Sequence, residues 1–176
     1  MPATAAILST QCKLILRGGA SLKPFQPQPQ ASFVKALGDP TEAVRDAGVR
    51  ALGVLTPLTA RVEPFASELV APRGGAAPGG GEEAVLGALR AVCGGGGERL
   101  GAPARARVLE AVRPRLSAEE GATRARAGGA WGAALRGAGG EEAAQLLRAA
   151  AASVLLPAVP ASLVPGERTV TGSQPW

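Results

Sequence analysis

The sequence predicts an all-α protein of about three stacked helix pairs, joined by glycine- and proline-rich connections. Three observations support this prediction. Residues 39–55 carry an uninterrupted apolar stripe at helical spacing, similar segments recur about 40 residues apart, and 25 glycines with 15 prolines divide the chain into short elements. Because alanine supplies much of the 46% hydrophobic content, each helix buries small side chains and needs a neighbour to cover them.

The clearest predicted helix lies in residues 39–55, DPTEAVRDAGVRALGVL. Asp39 suits the N-cap, Pro40 suits the first helical position, and Glu42 completes an acidic capping box. Asp46 and Arg50, one helical turn apart, fall on the polar face as a potential ion pair. The apolar face is made of Val44, Ala47, Gly48, Ala51, Leu52 and Leu55.

Related segments recur along the chain at a nearly constant spacing. Leu52, Leu89 and Trp131 each follow an alanine and are separated by steps of about 40 residues. Such a step is typical of the two-helix units of HEAT- and ARM-type α-solenoids. The first helix of each unit is predicted within 30–38, 62–70 and 103–116, and flanking helices at about 4–17 and 141–156.

The glycine-rich stretches 74–81, 94–97 and 137–140 are predicted to be connections, because none has the Gly-Lys-Ser/Thr ending of a phosphate-binding loop. Within the third long helix, each glycine costs about 1 kcal/mol relative to alanine, so the third repeat is expected to be less stable than the first. The predicted organisation is a helix in 1–20, repeats in 21–60, 61–100 and 101–138, a helix in 139–157, and a disordered tail in 158–176.

The composition argues against an enzyme. Without histidine the chain lacks the usual general base, and Cys12 and Cys93 do not have the spacing of a metal site. We expect both thiols to be reduced packing residues, and we expect no cofactor and no small-molecule substrate. The net charge of +5 permits an anionic partner without requiring one. Prolines interrupt the uncharged run 149–165, so a membrane span is not expected.

Residues 22–55 contain a dense set of spaced positions that belong to a recognisable pattern. They are Leu22, Lys23, Pro24, Phe25, Pro27, Phe33, Lys35, Ala36, Leu37, Asp39, Val44, Arg45, Ala51, Leu52, Gly53 and Leu55. This segment resembles a HEAT repeat of the large translational activators of the general amino-acid control pathway. Weaker similarity extends over roughly residues 11–148. The second repeat departs from the pattern at Gly81 and Glu82, and the third has Arg126 where the first has Ala47.

This resemblance implies a non-enzymatic scaffold of translational control in the cytoplasm, drawn from the C-terminal part of a longer solenoid. Proteins of this family sense stalled ribosomes and activate the kinase of translation initiation factor 2α. The implied partners are the RWD domain of that kinase, the ribosome and an ATP-binding-cassette protein. No membrane and no small-molecule substrate is implied.

Three arginines are the candidate partner-binding residues. Arg45 belongs to the Val-Arg pair of the first repeat, Arg50 follows on the polar face, and Arg124 occupies the place of Arg45 in the third repeat. One interpretation gives Arg45 a structural role, in which it ties the repeats through acidic or carbonyl partners. In the other, Arg45 and Arg50 face outward and pair with a carboxylate of the kinase domain.

An alternative function is a generic protein-interaction module or a basic module that contacts RNA or the ribosome. It rests on seven arginines that crowd into the segment 99–126: Arg99, Arg105, Arg107, Arg113, Arg115, Arg124 and Arg126. Helical spacing distributes these side chains around the helices, and no aromatic residues are interleaved for base stacking. A solvated basic face is therefore the competing interpretation of the same residues.

Overall fold

The computed structural model describes residues 2–19, 21, 27–71 and 81–150, and over these residues it contains helices and no strand. Short 3-10 helices lie at Thr56–Leu58, Gly97–Arg99 and Arg113–Ser117. Residues 74–80 of the predicted connection 74–81, the end of the last predicted helix and the predicted tail 158–176 lie outside the described residues. Gly81, the last residue of that predicted connection, is instead the first residue of a helix. The α-helices are α1 Pro2–Gly18, α2 Pro27–Ala36, α3 Glu42–Leu55, α4 Val62–Val70, α5 Gly81–Gly96, α6 Ala102–Val112, α7 Gly121–Arg136 and α8 Gly140–Ala150.

The helices pack as pairs that stack into two layers. Helices α2 and α3, α4 and α5, and α6 and α7 form the three pairs, and α1, α3, α5 and α7 contact one another in sequence to form one layer. Helices α4 and α6 are neighbours in the other layer, to which α2 is joined by a hydrogen bond from Gln30 to Glu68 of 2.9 Å. The all-α, stacked-pair prediction is confirmed.

The apolar stripe of α3 forms the centre of the first repeat, as the sequence predicts. All six stripe residues are buried, and Leu52 and Leu55 are fully inaccessible. Phe33 and Leu37 cover the stripe from the α2 side. Gly48 allows this close approach, because a Cβ there would lie only 3.1 Å from the Cβ of Ala36.

The predicted start of α3 is wrong by two residues. The helix begins at Glu42, and its N-cap Thr41 makes no side-chain capping bond. Asp39 instead accepts a hydrogen bond at Oδ1 from the backbone N–H of Thr41, at 2.8 Å. The aspartate thus stabilises the turn before the helix, so it neither caps the helix nor forms a capping box with Glu42.

The predicted connection 94–97 is also wrong, because α5 continues through Gly96. Two of its glycines pack against the first repeat and the helix after it: a Cβ at Gly95 would lie 3.3 Å from Thr56, and one at Gly96 would lie 2.8 Å from Cγ1 of Val62. Thr56 and Val62 pack directly against the backbone of these glycines, and this packing offsets the low helix propensity of glycine. The helix ends where Gly97 adopts a φ of +52°.

The third repeat is built from smaller side chains than the first. Helix α7 buries Thr123 and four alanines, whereas Trp131, which is aligned with Leu52, is only partly buried. Arg126 has an exposed side chain, although it is aligned with the buried Ala47. In α8, Leu147 is 52% exposed, so the apolar side chains of this helix are only partly covered. Less apolar area is therefore buried towards the C-terminal end of the described stack.

The two thiols differ in their surroundings. Cys12 is partly buried and Cys93 is buried in α5, and neither forms a disulfide. Burial raises the pKa of the Cys93 thiol from 9.0 to about 11, and the charge of Arg105 opposes part of this rise. Burial also raises the pKa of Cys12, against the charge of Arg50.

The Cys93 shift predicts a loss of stability at high pH. Between about pH 9 and pH 11, the Cys93 thiol stays protonated in the folded protein and is ionised in the unfolded chain. The stabilising contribution is therefore complete below pH 9 and falls by about 1.4 kcal/mol per pH unit up to about pH 11. Urea unfolding at pH 8 and pH 10.5 should show this loss for the wild type and a smaller one for Cys93→Ala. Equal losses in the two proteins would contradict the prediction.

Candidate partner-binding surface

Arg45 and Arg124 make the same pair of contacts at the starts of their helices. Arg45 is the fourth residue of α3, and its Nη1 donates to the carbonyls six and five residues earlier, at 3.0 and 2.9 Å. Arg124 is the fourth residue of α7, and its Nη1 donates to carbonyls at the same two offsets, at 2.7 and 2.6 Å. Each guanidinium therefore closes the turn that leads into its own helix.

These contacts use only one nitrogen of each guanidinium. Among the described residues, Nε and Nη2 of Arg45 and Arg124 make no hydrogen bond, and neither arginine forms an ion pair. Arg45 is partly buried and Arg124 is exposed. The structural role and a contact with a partner carboxylate are thus compatible on the same side chain.

A third arginine at the fourth helical position is buried. Arg105 of α6 has a side chain only 4% exposed, and its Nη2 donates to the carbonyls of Leu100, at 2.6 Å, and Gly137. Its Nη1 donates to both carboxylate oxygens of Glu142 in α8, at 2.8 and 2.7 Å. This cluster links the third helix pair to α8. The sequence interpretation of a solvated arginine is wrong for Arg105, because these partners replace the hydration of Nη1 and Nη2, while Nε is buried without a partner among the described residues.

Arg50 does not form the predicted pair with Asp46. Its exposed side chain instead lines a groove of about 540 Å³ along the α3, α5 and α7 layer, together with Arg90, Arg126 and Arg136. The structure therefore separates the three predicted site residues. Arg50 lies in the groove, Arg45 lines a small adjoining cavity with Arg126, and Arg124 lines neither of them. No sequence signal pointed to Arg90 or Arg136, since only the stacking of three helices brings them beside Arg50.

The other members of the arginine run mostly have partners within the protein. Arg99 donates to the carbonyls of Thr56 and Thr59 in the preceding repeat, at 3.2 and 2.8 Å. Arg115 pairs with Glu82 at 2.6 Å, and Arg107 donates to the hydroxyl of Ser67 at 3.1 Å. Side chains engaged in this way are less available to a row of phosphates, which weakens the argument for an RNA-contacting run.

The described part of the chain holds neither a metal-binding cluster nor a membrane-spanning helix. Residues 2–19, 27–71 and 81–150 contain no group of three His, Cys, Asp or Glu side chains that is arranged to hold a metal ion. Over the same ranges, no helix is long and apolar enough to cross a membrane.

Known proteins resemble this chain over most of its length. No protein-family model and no solved structure matches it. It is 39% identical over 116 residues, 66% of the chain, to the protein ILITYHIA of Arabidopsis thaliana. It is 34% identical over 128 residues, 73% of the chain, to the human stalled ribosome sensor GCN1, and 36% identical over 109 residues, 61% of the chain, to the eIF-2-alpha kinase activator GCN1 of Saccharomyces cerevisiae. The chain is homologous to GCN1.

The homology covers a short part of a long protein. The chain spans 4% of the length of ILITYHIA and of yeast GCN1, and 5% of human GCN1. The resemblance inferred from residues 22–55 is confirmed, and the all-α stack agrees with the HEAT-repeat character of GCN1 homologues. The names of the two GCN1 relatives describe a stalled ribosome sensor in human and an eIF-2-alpha kinase activator in yeast.

Proposed function

We propose that this chain is a non-enzymatic scaffold segment of a cytoplasmic GCN1-type protein that supports activation of the initiation factor 2α kinase on stalled ribosomes. The observation that carries the proposal is the 34–39% identity to GCN1 proteins and ILITYHIA. The fold supports it, because a stack of helix pairs presents an extended surface on which partners assemble. The composition supports it as well, since it contains no histidine, the usual general base of an enzyme.

The proposed direct partner is the RWD domain of the kinase, with the ribosome and an ATP-binding-cassette protein as further partners of the whole assembly. The proposed position is the C-terminal part of the longer protein. We also propose the repeat boundaries 21–60, 61–100 and 101–138, each of which encloses one helix pair of the structure.

Arg45, Arg50 and Arg124 are proposed to contact the RWD domain in different ways. Arg50 lines the groove with its whole guanidinium free of hydrogen bonds to described residues. Arg45 and Arg124 are held at Nη1 by backbone carbonyls, so each offers only its remaining N–H groups to a carboxylate. Charge-assisted bonds of this kind are the strong contacts of a protein interface.

Arg45→Glu separates the structural role of this side chain from its binding role. The change removes the two carbonyl contacts and is expected to lower the free energy of unfolding by about 1–2 kcal/mol. If Arg45 also contacts the RWD domain, the reversed charge should weaken binding by about tenfold or more, measured by calorimetry with circular dichroism on the same sample. Arg113→Glu, on an exposed arginine without such contacts to described residues, is the control. Unchanged binding by a folded Arg45→Glu protein would remove Arg45 from the interface.

The second candidate function is a basic module that contacts ribosomal RNA. The net charge of +5 and the arginine groove favour it, whereas the internal partners of Arg99, Arg105 and Arg115 count against it. Phosphate contacts would make binding steeply dependent on salt concentration. A steep loss of ribosome binding between low and physiological salt, with no binding to the RWD domain, would favour this second function.

A further inference from the structure

A groove on the layer formed by α3, α5 and α7 carries four arginines. Arg50 comes from α3, Arg90 from α5, and Arg126 and Arg136 from α7. Within the described residues, Arg50, Arg90 and Arg136 make no hydrogen bond or ion pair. Arg126 pairs with Glu83 at 3.1 Å, with 42% of its side chain exposed. Among the described residues, Glu83 is thus the counter-ion of Arg126, and the other three arginines of the groove have no counter-ion.

Glycines form much of the groove lining and bring the guanidinium groups close to the backbone. Gly53, Gly87, Gly94 and Gly95 line the groove. A Cβ at Gly87 would lie 4.0 Å from Nη1 of Arg126. A lining with few side chains allows another polypeptide backbone to approach closely while its acidic side chains reach the arginines.

The dimensions of the groove limit what it holds. Its lining on α5 extends from Gly87 to Gly95, which is about 12 Å of helix axis. An extended chain covers this distance in about four residues. The volume of about 540 Å³ is in the range of a ligand-sized cleft.

We propose that this groove binds a short acidic segment of a protein partner, whose carboxylates pair with Arg50, Arg90, Arg126 and Arg136. Carboxylates match the planar fork of arginine and can accept two hydrogen bonds from one guanidinium. The inference rests on the proposed scaffold function, because the groove would supply one of the partner contacts of that scaffold.

The charges around the groove favour a short acidic protein segment over RNA. A small cavity next to the groove shares Arg126 and is lined by three acids, Glu42, Asp46 and Glu83. A nucleic-acid strand carries a charge at every phosphate, so it would meet these carboxylates as it left the groove. Among the described residues that line the groove, none is an aromatic side chain on which a base could stack. A short acidic segment that stays within the groove pairs with the arginines and does not pass the carboxylates of Glu42, Asp46 and Glu83.

The test measures binding of a fluorescent tetraglutamate peptide to the full 176-residue chain by anisotropy, with a tetraglutamine peptide and an oligouridylate as comparison probes. The glutamate peptide should bind and the glutamine peptide should not. Arg90→Gln combined with Arg126→Gln should weaken glutamate binding at least about tenfold. A second pair, Arg50→Gln with Arg136→Gln, should have a similar effect and does not disturb the Arg126–Glu83 ion pair.

The control is Arg113→Gln combined with Arg148→Gln, which removes the same charge from exposed arginines outside the groove. It should change glutamate binding by less than about twofold. Equal weakening by control and groove variants would mean non-specific charge attraction and would overturn the proposal. Failure of the glutamate peptide to bind would also overturn the proposal. Oligouridylate binding that is tighter than peptide binding and is lost in the groove variants would overturn it as well.

The same variants separate this inference from the proposed function. Groove variants that lose the peptide in a chain that never binds the RWD domain would support an acidic-segment groove and contradict RWD binding. RWD binding that is identical in the wild type and in the Arg90→Gln, Arg126→Gln variant, with no peptide binding, would support the proposed function and overturn the groove inference. Circular dichroism melts of each variant establish that the fold is retained.

Discussion

Arg105→Leu is expected to lower the free energy of unfolding by about 3–5 kcal/mol, far more than the replacement of a solvated arginine. Leucine cannot satisfy the carbonyls of Leu100 and Gly137, to which Arg105 donates, and it leaves Glu142 without its cation. Buried acceptors and a partly buried carboxylate then lose their partners without regaining full hydration. The α6–α8 contact is expected to open first, because Glu142 is the α8 end of this cluster.

The measurement is urea unfolding followed by circular dichroism at neutral pH. Arg107→Leu is the matched control, because Arg107 follows on the same helix, is exposed, and donates a single hydrogen bond to Ser67. Arg107→Leu should lower the free energy of unfolding by less than about 0.5 kcal/mol. Similar losses for the two variants would contradict a buried structural role for Arg105.

Leu52→Ala is expected to lower the free energy of unfolding by about 2–5 kcal/mol. Leu52 is fully inaccessible in α3, which packs against α1, α2 and α5, so the truncation would leave a cavity in the buried core of the first repeat. The cost depends on how far the surrounding core relaxes into the cavity. Unfolding of the first repeat should therefore appear at lower urea concentration.

The control makes the same substitution at an exposed site. Leu147 in α8 is 52% exposed, and Leu147→Ala should change the free energy of unfolding by less than about 0.5 kcal/mol. Equal destabilisation by the two leucine variants would show that Leu52 is not part of a packed core.

The helices were predictable because burial repeats with the helical period. The stripe of α3 and the spacing of Leu52, Leu89 and Trp131 depend only on the chain itself, so they predict the stacked pairs. The ends of the helices were less predictable. An aspartate at position 39 fits both a helix cap and a turn, and in the structure it belongs to the turn. Gly95 and Gly96 are helical because Thr56 and Val62 pack against them.

The roles of the arginines depended on tertiary structure to different degrees. Arg45, Arg105 and Arg124 share one local signal, since each is the fourth residue of its helix and donates to the carbonyl five residues earlier. That pattern is visible in the sequence once the helix starts are known. The groove has no such signal, because Arg50 and Arg90 belong to different repeats of the chain and meet only through the stacking of α3 on α5.

The arginines therefore divide into two groups with different expected sensitivities. Those that donate to backbone carbonyls, such as Arg99 and Arg105, should affect stability when they are replaced. Those of the groove, such as Arg90 and Arg136, should affect binding and leave the unfolding transition nearly unchanged. This division follows from the contacts of each side chain and not from its position in the arginine run.

The most direct test of the proposed scaffold function is kinase activation by a chimeric yeast GCN1 whose matched segment of 109 residues is replaced by the homologous part of this chain. Phosphorylation of initiation factor 2α would be measured in starved cells, beside a protein lacking the segment and with all variants at equal abundance. We expect the chimera to restore phosphorylation and the Arg90→Gln, Arg126→Gln chimera to restore less. Phosphorylation no higher than with the segment deleted would contradict the scaffold function.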